Sequence, residues 1–141
     1  MTNLNFEITV GRPVFKDYKV ITNGMLLYHD KKGHRRTSEV INIFLKDDKK
    51  KVYAGAVATV LWNGIEINSL WVDESLRDKG FGKKLVEMIE DEGKKRNCTI
   101  CYTNTFTWQA PEFYEKLGYK VYGELKNFPP GNSLTYFYKQ L

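Results

Sequence analysis

Apolar and polar positions change period several times along the 141-residue chain, and each change marks a predicted element. Phe6 to Val10 alternates, which predicts a short strand; from about Pro13 to Tyr28 the apolar residues recur at helical spacing, with Asn23-Gly24 as the weak point. Three strand-like runs follow, Glu39 to Leu45, Val52 to Trp62 and Ile65 to Val72. They are separated by Asp47-Asp48-Lys49-Lys50 and by Asn63-Gly64, a two-residue hairpin signal. Between Gly82 and Arg96, Leu85, Val86, Met88 and Ile89 form one helical face, while Glu90 with Lys94, Asp91 with Lys95 and Glu92 with Arg96 form i,i+4 pairs on the other. Next come a strand from Thr99 to Thr105 and a short helix from about Pro111 to Leu117, with Pro111 suited to its first turn and Gly118 to its stop. Lys120 to Leu125 and Leu134 to Tyr138 read as the last strands. The order β, α, β, β, β, α, β, α, β, β predicts an α/β (α+β) fold, a mixed sheet flanked by helices. No repeat or linker interrupts it, so residues 1–141 are expected to form one domain.

Composition narrows the function classes. With 42% hydrophobic and 28% charged residues, no window approaches the roughly 18 apolar residues of a membrane span, so no membrane partner is expected. The start, Met1-Thr2-Asn3-Leu4-Asn5-Phe6-Glu7, lacks a basic and then apolar leader, which points to the cytoplasm. The formal charge of +5 is scattered over many segments, including an exposed basic stretch from Lys31 to Arg36. No helix-turn-helix, zinc-finger or ribonucleoprotein pattern accompanies it, so a nucleic-acid partner is disfavoured. Cys98 and Cys101 fall on a strand expected to be buried, where residues three apart face opposite ways. His29 and His34 are distant, and no four-ligand zinc set emerges.

The segment from Leu70 to Leu85 carries the strongest chemical signal. A strand runs into a basic turn with Gly80 and Gly82 that opens a helix, and Arg77, Lys79, Lys83 and Lys84 surround that turn. The first N–H groups of a helix lack intrahelical acceptors and sit at the positive end of its dipole, so this arrangement suits a pyrophosphate. Downstream lies Ala110-Pro111-Glu112-Phe113-Tyr114-Glu115-Lys116-Leu117-Gly118-Tyr119. Arg77-x-x-Gly80-x-Gly82 followed by Phe113-Tyr114-Glu115-Lys116-Leu117-Gly118-Tyr119 resembles the GNAT superfamily of acyl-CoA-dependent N-acetyltransferases. The resemblance extends over about residues 38 to 141.

That resemblance implies a mostly antiparallel sheet whose two central strands splay apart to admit the pantetheine arm of acetyl-CoA. Main-chain groups of Leu70, Trp71 and Val72 would bond that arm, an N–H near Trp71 or Val72 would serve the oxyanion, and the turn Arg77, Asp78, Lys79, Gly80, Phe81, Gly82, Lys83 would hold the pyrophosphate. Tyr114 stands where many members protonate or hydrogen-bond the CoA sulfur; the alternative is a packing tyrosine beside Phe113 and Leu117. Thr107 stands where members often carry a cofactor-bonding asparagine, a departure from the pattern, since a hydroxyl replaces one amide hydrogen bond but not all. Trp108 and Gln109 would either line the site or, for the tryptophan, pack structurally.

Transfer to an amine needs a base, because an alkylamine is only about one part in a thousand neutral at pH 7. Glu66 matches the general-base glutamate of the histone acetyltransferase branch. Strand alternation places it on one face with Asn68 and Leu70. A water chain, with Glu66 as a solvated carboxylate, is the other reading. The acceptor is expected to be a small-molecule or peptide amine, and the basic Lys31–Arg36 stretch would disfavour polycations. The competing classes are a non-catalytic acyl-CoA-binding module and a basic nucleic-acid-binding domain. No metal is required by this chemistry, and the sheet edges leave room for a homodimer.

Overall fold

A computed structural model describes residues 2–141, which divide into a unit ending at Arg36 and a unit Thr37–Leu141. In the first, residues 2–14 contain no helix or strand, and Phe6, Ile8 and Val10 are exposed. The alternation at Phe6 to Val10 is therefore not a strand: it joins no ladder, and a lone extended segment has neither paired main chain nor a buried face. Helix α1 is Phe15–Lys31 and runs through Asn23-Gly24. Asp17 in its first turn and His29 and Lys31 in its last suit the helix dipole.

The second unit is a six-stranded sheet ordered β1-β2-β3-β4-β6-β5, with β1 Ser38–Lys46, β2 Val52–Leu61, β3 Gly64–Val72, β4 Ile100–Phe106, β5 Lys120–Lys126 and β6 Ser133–Gln140. Helices α2, Phe81–Lys95, and α3, Pro111–Lys116, complete it. Every neighbouring pair is antiparallel except β3 and β4. The expected mixed, mostly antiparallel sheet is present. The hairpin between β2 and β3 sits one residue earlier than expected: Leu61 pairs with Gly64, so Trp62 and Asn63 form the turn, with Trp62 at φ 50°. No helix among the described residues is long and apolar enough to cross a membrane.

The core lies on one face of the sheet. Alternation points Ile41, Ala54, Ala56, Ala58, Val60, Ile65 and Ile67 at Leu85, Val86 and Ile89 of α2. Small residues along β2 let the helix lie close, and a Cβ at Gly93 would meet Ile65 Cγ2 at 2.8 Å. Met88, expected on the buried face of this helix, is exposed, and Glu90 takes the inward position instead. Its carboxylate accepts two bonds from Lys139 Nζ at 3.0 Å and one from the Tyr119 hydroxyl at 3.2 Å, tying α2 to β6. The expected Glu92–Arg96 pair is present at 2.6 Å. Arg96 also donates to both carboxylate oxygens of Glu39, at 2.9 and 3.0 Å, which fastens the end of α2 to β1.

A buried carboxylate stripped of its cation is costly, whereas an apolar replacement of both partners is nearly neutral. Lys139→Met should lower stability by about 3 kcal/mol, and adding Glu90→Leu should restore most of it. Urea midpoints of the three proteins check this, and equal midpoints for the single and double variants would contradict it.

Candidate active site

The β3–β4 ladder is interrupted in mid-sheet. The two strands pair at Gly64 with Ile100, Ile65 with Cys101 and Glu66 with Tyr102, and no further. Beyond that vertex β3 stays paired to β2 as far as Val72, and β4 to β6 as far as Phe106. Their facing edges run on without a ladder, so main-chain N–H and C=O groups are left to bond a third extended chain. A cleft of about 350 Å³ fills the gap, lined among others by Asn68, Ser69, Leu70, Trp71, Thr103 and Tyr114. A depression of about 390 Å³ near Gly118 and Lys139 lies at the paired end of β4, away from the gap.

A bulge shapes the β3 side. Val57 pairs with Ser69 and Ala58 with Ile67, so Asn68 is an extra residue, and the Thr59 hydroxyl donates to its side-chain oxygen at 2.6 Å. The bulge reverses the alternation. Ile65 and Ile67 face the core, and so do Leu70 and Val72, whereas Glu66 pairs across from Thr59 on the opposite face. The expectation that Glu66 and Leu70 share a face is thus corrected, because strict period two does not survive an inserted residue. Glu66 is the last β3 residue in the ladder and does not line the cleft. Partial desolvation, then the charge of nearby Glu66, raises the Tyr122 phenol above its ordinary value.

On the core side, Tyr114 reaches the cleft from α3. It is 5% exposed and packs edge-on against Phe113 and Tyr119, and tilted against Phe137. Burial pushes its phenol up to about 12, while a hydrogen bond with the Thr103 side chain pulls the other way. Its ring packs in the core while the residue borders the cleft.

Beyond β3, Asp73 accepts from Ser75 main-chain N at 3.0 Å and hydroxyl at 2.5 Å, and its own N–H donates to Tyr53 O at 2.8 Å. The Ser75 bonds, side chain first, hold the Asp73 carboxyl below its usual range. Arg77 Nε donates to Val72 O at 3.1 Å, folding the turn back on the strand end. Asp78 and Gly80 take left-handed φ of 59° and 86°. Gly80 then begins α2 with no side-chain cap, so the N–H groups of Phe81, Gly82 and Lys83 point out of the helix end. Gly82 has a different part from Gly80: a Cβ there would meet the Phe113 ring at 3.3 Å, so its smallness serves the contact between α2 and α3. Lys79 and Lys83 are exposed around this turn.

Of the residues named from sequence, the gap brings together Leu70, Trp71 and Tyr114. It does not take in Thr107, whose hydroxyl donates to Ser133 O at 3.0 Å and accepts from Ser133 N at 2.8 Å, closing the end of β4 onto β6. Gln109 does line the cleft, its side-chain oxygen accepting from Phe106 N at 2.8 Å; Trp108 stacks on Phe106 at 4.8 Å, outside the lining. Sequence reasoning missed Asn68, Ser69, Thr103, Asn104 and Thr105. The signal for the first two was present: apolar positions 65 and 67 are followed by 70 and 72, and that break in period marks a bulge.

Residues 39–121 match the family profile described as an acetyltransferase (GNAT) domain, more than half of the chain. The chain therefore belongs to the GNAT acetyltransferase family. It is 28% identical over 107 residues to the blasticidin-S acetyltransferase of Streptomyces morookaense, covering 75% of this chain and 79% of that protein. The crystal structure of an acetyltransferase from Bacillus cereus superposes with a TM-score of 0.83 at 30% identity, covering 95% of this chain and 98% of the other. An aminoglycoside 6′-N-acetyltransferase crystallised with coenzyme A shares the fold, with a TM-score of 0.63 at 23% identity over 72% of this chain and 73% of its own.

A side chain at Gly80 meets no atom within 4 Å, so the cost of Gly80→Ala is that of the left-handed φ alone. It should lower stability by about 1–2 kcal/mol. Thermal or urea unfolding checks this, and an unchanged midpoint would show that the turn can relax.

Proposed function

We propose that this protein transfers the acetyl group of acetyl-CoA to a primary amine of a small molecule or peptide, by direct attack and without a covalent enzyme intermediate. The observation that carries this reading is the interrupted β3–β4 ladder, which meets the buried Tyr114 at its side and leads from Val72 into the uncapped start of α2. The pantetheine arm would bond the open β3 edge at Leu70, Trp71 and Val72 as another strand would. The pyrophosphate would take the N–H groups of Phe81, Gly82 and Lys83 and the charges of Arg77, Lys79 and Lys83, with Asp78 and Gly80 shaping the turn.

A main-chain N–H of Trp71 or Val72 would stabilise the oxyanion as the amine attacks. Tyr114 gives its proton to the departing thiolate, and burial, which raises its pKa, keeps the phenol protonated at neutral pH until then. Glu66, across the sheet from Tyr114, takes the proton released by the amine, through water. Glu66 lies on the sheet face opposite the core, at the last β3–β4 pair and outside the cleft lining, which is why its proposed part runs through water. Direct attack is further supported by the thiols: burial raises Cys98, and pushes Cys101 up to about 12, outside the range of a useful nucleophile. A binding-only module is the second reading, favoured by Glu66 and Thr107 lying outside the cleft lining.

The test is thiol release from acetyl-CoA with a panel of glycinamide, a lysine peptide, spermidine and blasticidin S. At least one amine should turn over, and Tyr114→Phe should lower kcat about 100-fold with acetyl-CoA affinity unchanged. No turnover of any amine, with tight donor binding, would favour the binding-only module. The pH profile gives an independent check. Rate should rise as the amine deprotonates and show no fall from Tyr114 below about pH 12. The sign follows from the raised pKa: the fold favours the protonated phenol, so its stabilising contribution is lost only as pH climbs from the ordinary phenol value towards about 12. A falling limb near pH 10 that disappears in Tyr114→Phe would contradict it.

A further inference from the structure

The sheet face opposite α2 carries a cluster of tyrosines that the chemistry above leaves unused. At the vertex of the gap one row of directly paired residues runs Thr59, Glu66, Tyr102, Tyr138 and Lys120, from β2 across to β5. Paired residues share a face, and neighbouring strands lie about 4.8 Å apart, so Glu66 and Tyr138 are about 10 Å apart at the backbone. In the adjoining row Tyr136 stands beside Asn104, which lines the cleft. A bulge adds a third ring to this side: Val121 pairs with Phe137 and Gly123 with Tyr136, so Tyr122 is an extra residue of β5. Its ring meets those of Tyr136 at 5.8 Å and Tyr138 at 5.9 Å, at interplanar angles of 53° and 72°.

The three rings make a corner rather than a stack. Tyr102, on the strand between them and Glu66, leans back towards the start of β3, where a Cβ at Gly64 would meet its Cε1 at 3.1 Å. Tyr136 and Tyr138 are half-buried, as is Glu66, and Tyr122 is 55% exposed. The faces of tyrosine rings carry negative potential, so they attract an ammonium as a carboxylate does. An exposed ion pair alone is worth little, whereas rings that strip part of the water from a cation strengthen its hold. The apolar stem of an amine has the same rings to lie on. At the far end of the row stands Lys120, which repels a second positive charge.

We propose that this tyrosine corner is the acceptor site: Glu66 and the ring faces of Tyr122, Tyr136 and Tyr138 hold the ammonium of a singly charged primary amine beside the vertex of the gap. The inference rests on the proposed transfer to an amine and names its substrate class. The bound ammonium loses its proton to Glu66 through water. The neutral nitrogen, no longer drawn to the rings, then turns into the gap past Asn104.

The test is made without an acyl donor, so that it does not depend on transfer. Affinities are measured by NMR titration for 4-aminobutan-1-ol, for pentan-1-ol, in which a methyl group replaces the ammonium, and for the doubly charged 1,4-diaminobutane. The wild type should bind the amino alcohol about tenfold more tightly than pentan-1-ol, and more tightly than the diamine. Tyr122→Leu and Tyr136→Leu should each cut that tenfold preference about threefold, and Glu66→Gln should nearly abolish it. Tyr122→Phe and Tyr136→Phe should keep it, because the ring face acts and not the hydroxyl. Pentan-1-ol affinity shows whether each variant keeps its surface, and Tyr122 carries the comparison alone if Tyr136→Leu does not fold. In turnover the leucine variants should raise KM for the amine with kcat little changed. No preference for the ammonium in the wild type, or full preference in the leucine variants, overturns the site, and thiol release with an amine then leaves the proposed function standing. Equal losses in the leucine and phenylalanine variants overturn the part of the ring faces, and tighter binding of the diamine overturns the selection of a single charge. A preference lost as expected, without thiol release from acetyl-CoA, keeps the cation site and overturns the transfer.

Discussion

One missing set of main-chain hydrogen bonds organises this molecule. A sheet normally satisfies every interior N–H and C=O through its neighbours, and an unpaired edge in the middle of a sheet is costly unless something else bonds it. Here the β3–β4 ladder stops after three pairs while the outer ladders continue. The chain thus holds two polar edges facing each other, and the elements around them keep the edges from collapsing together. Asn68, inserted as a bulge, bends β3 at the point where the strands part, and the Thr103 hydroxyl replaces the first lost ladder bond.

Rigidity of the gap follows from how its two sides are anchored. The β3 side is clamped by β2 and by α2, whose Leu85, Val86 and Ile89 pack on the alanine row of β2 and on Ile65 and Ile67. The β4 side is backed by β6 and by Tyr114, Tyr119 and Phe137. Glu90 joins the sides through Lys139 and Tyr119, a polar bond inside an otherwise apolar contact. The same helix that clamps β3 presents its N-terminus beside the strand's end, so the proposed donor site takes both its halves from one β–turn–α unit.

Much of this was legible in the chain because it depends on local pattern. Alternation located β1 to β6, and the basic turn with Gly80 marked the start of α2. Apart from the Asn68 bulge, whose break in period was local, what failed depended on contacts between distant residues. Phe6 to Val10 alternates like a strand but has no ladder to join. Glu90 reads as half of a surface pair with Lys94, yet Lys139, 49 positions on, draws it inward. The Glu66 face was misplaced by a one-residue bulge, and Thr107 is engaged by Ser133, which no local rule links to it. Thr103 carries no local signal, since a threonine on a strand is ordinary until its neighbours across the gap are known.

Amide hydrogen exchange with and without acetyl-CoA is the decisive measurement, because the proposed ligand contacts are made by main-chain groups. Binding should slow exchange at the β3 amides from Ser69 to Val72 and at Phe81, Gly82 and Lys83, with the rest of the sheet little changed. Binding that protects neither segment, or no binding, would contradict the reading of the interrupted ladder as the donor site.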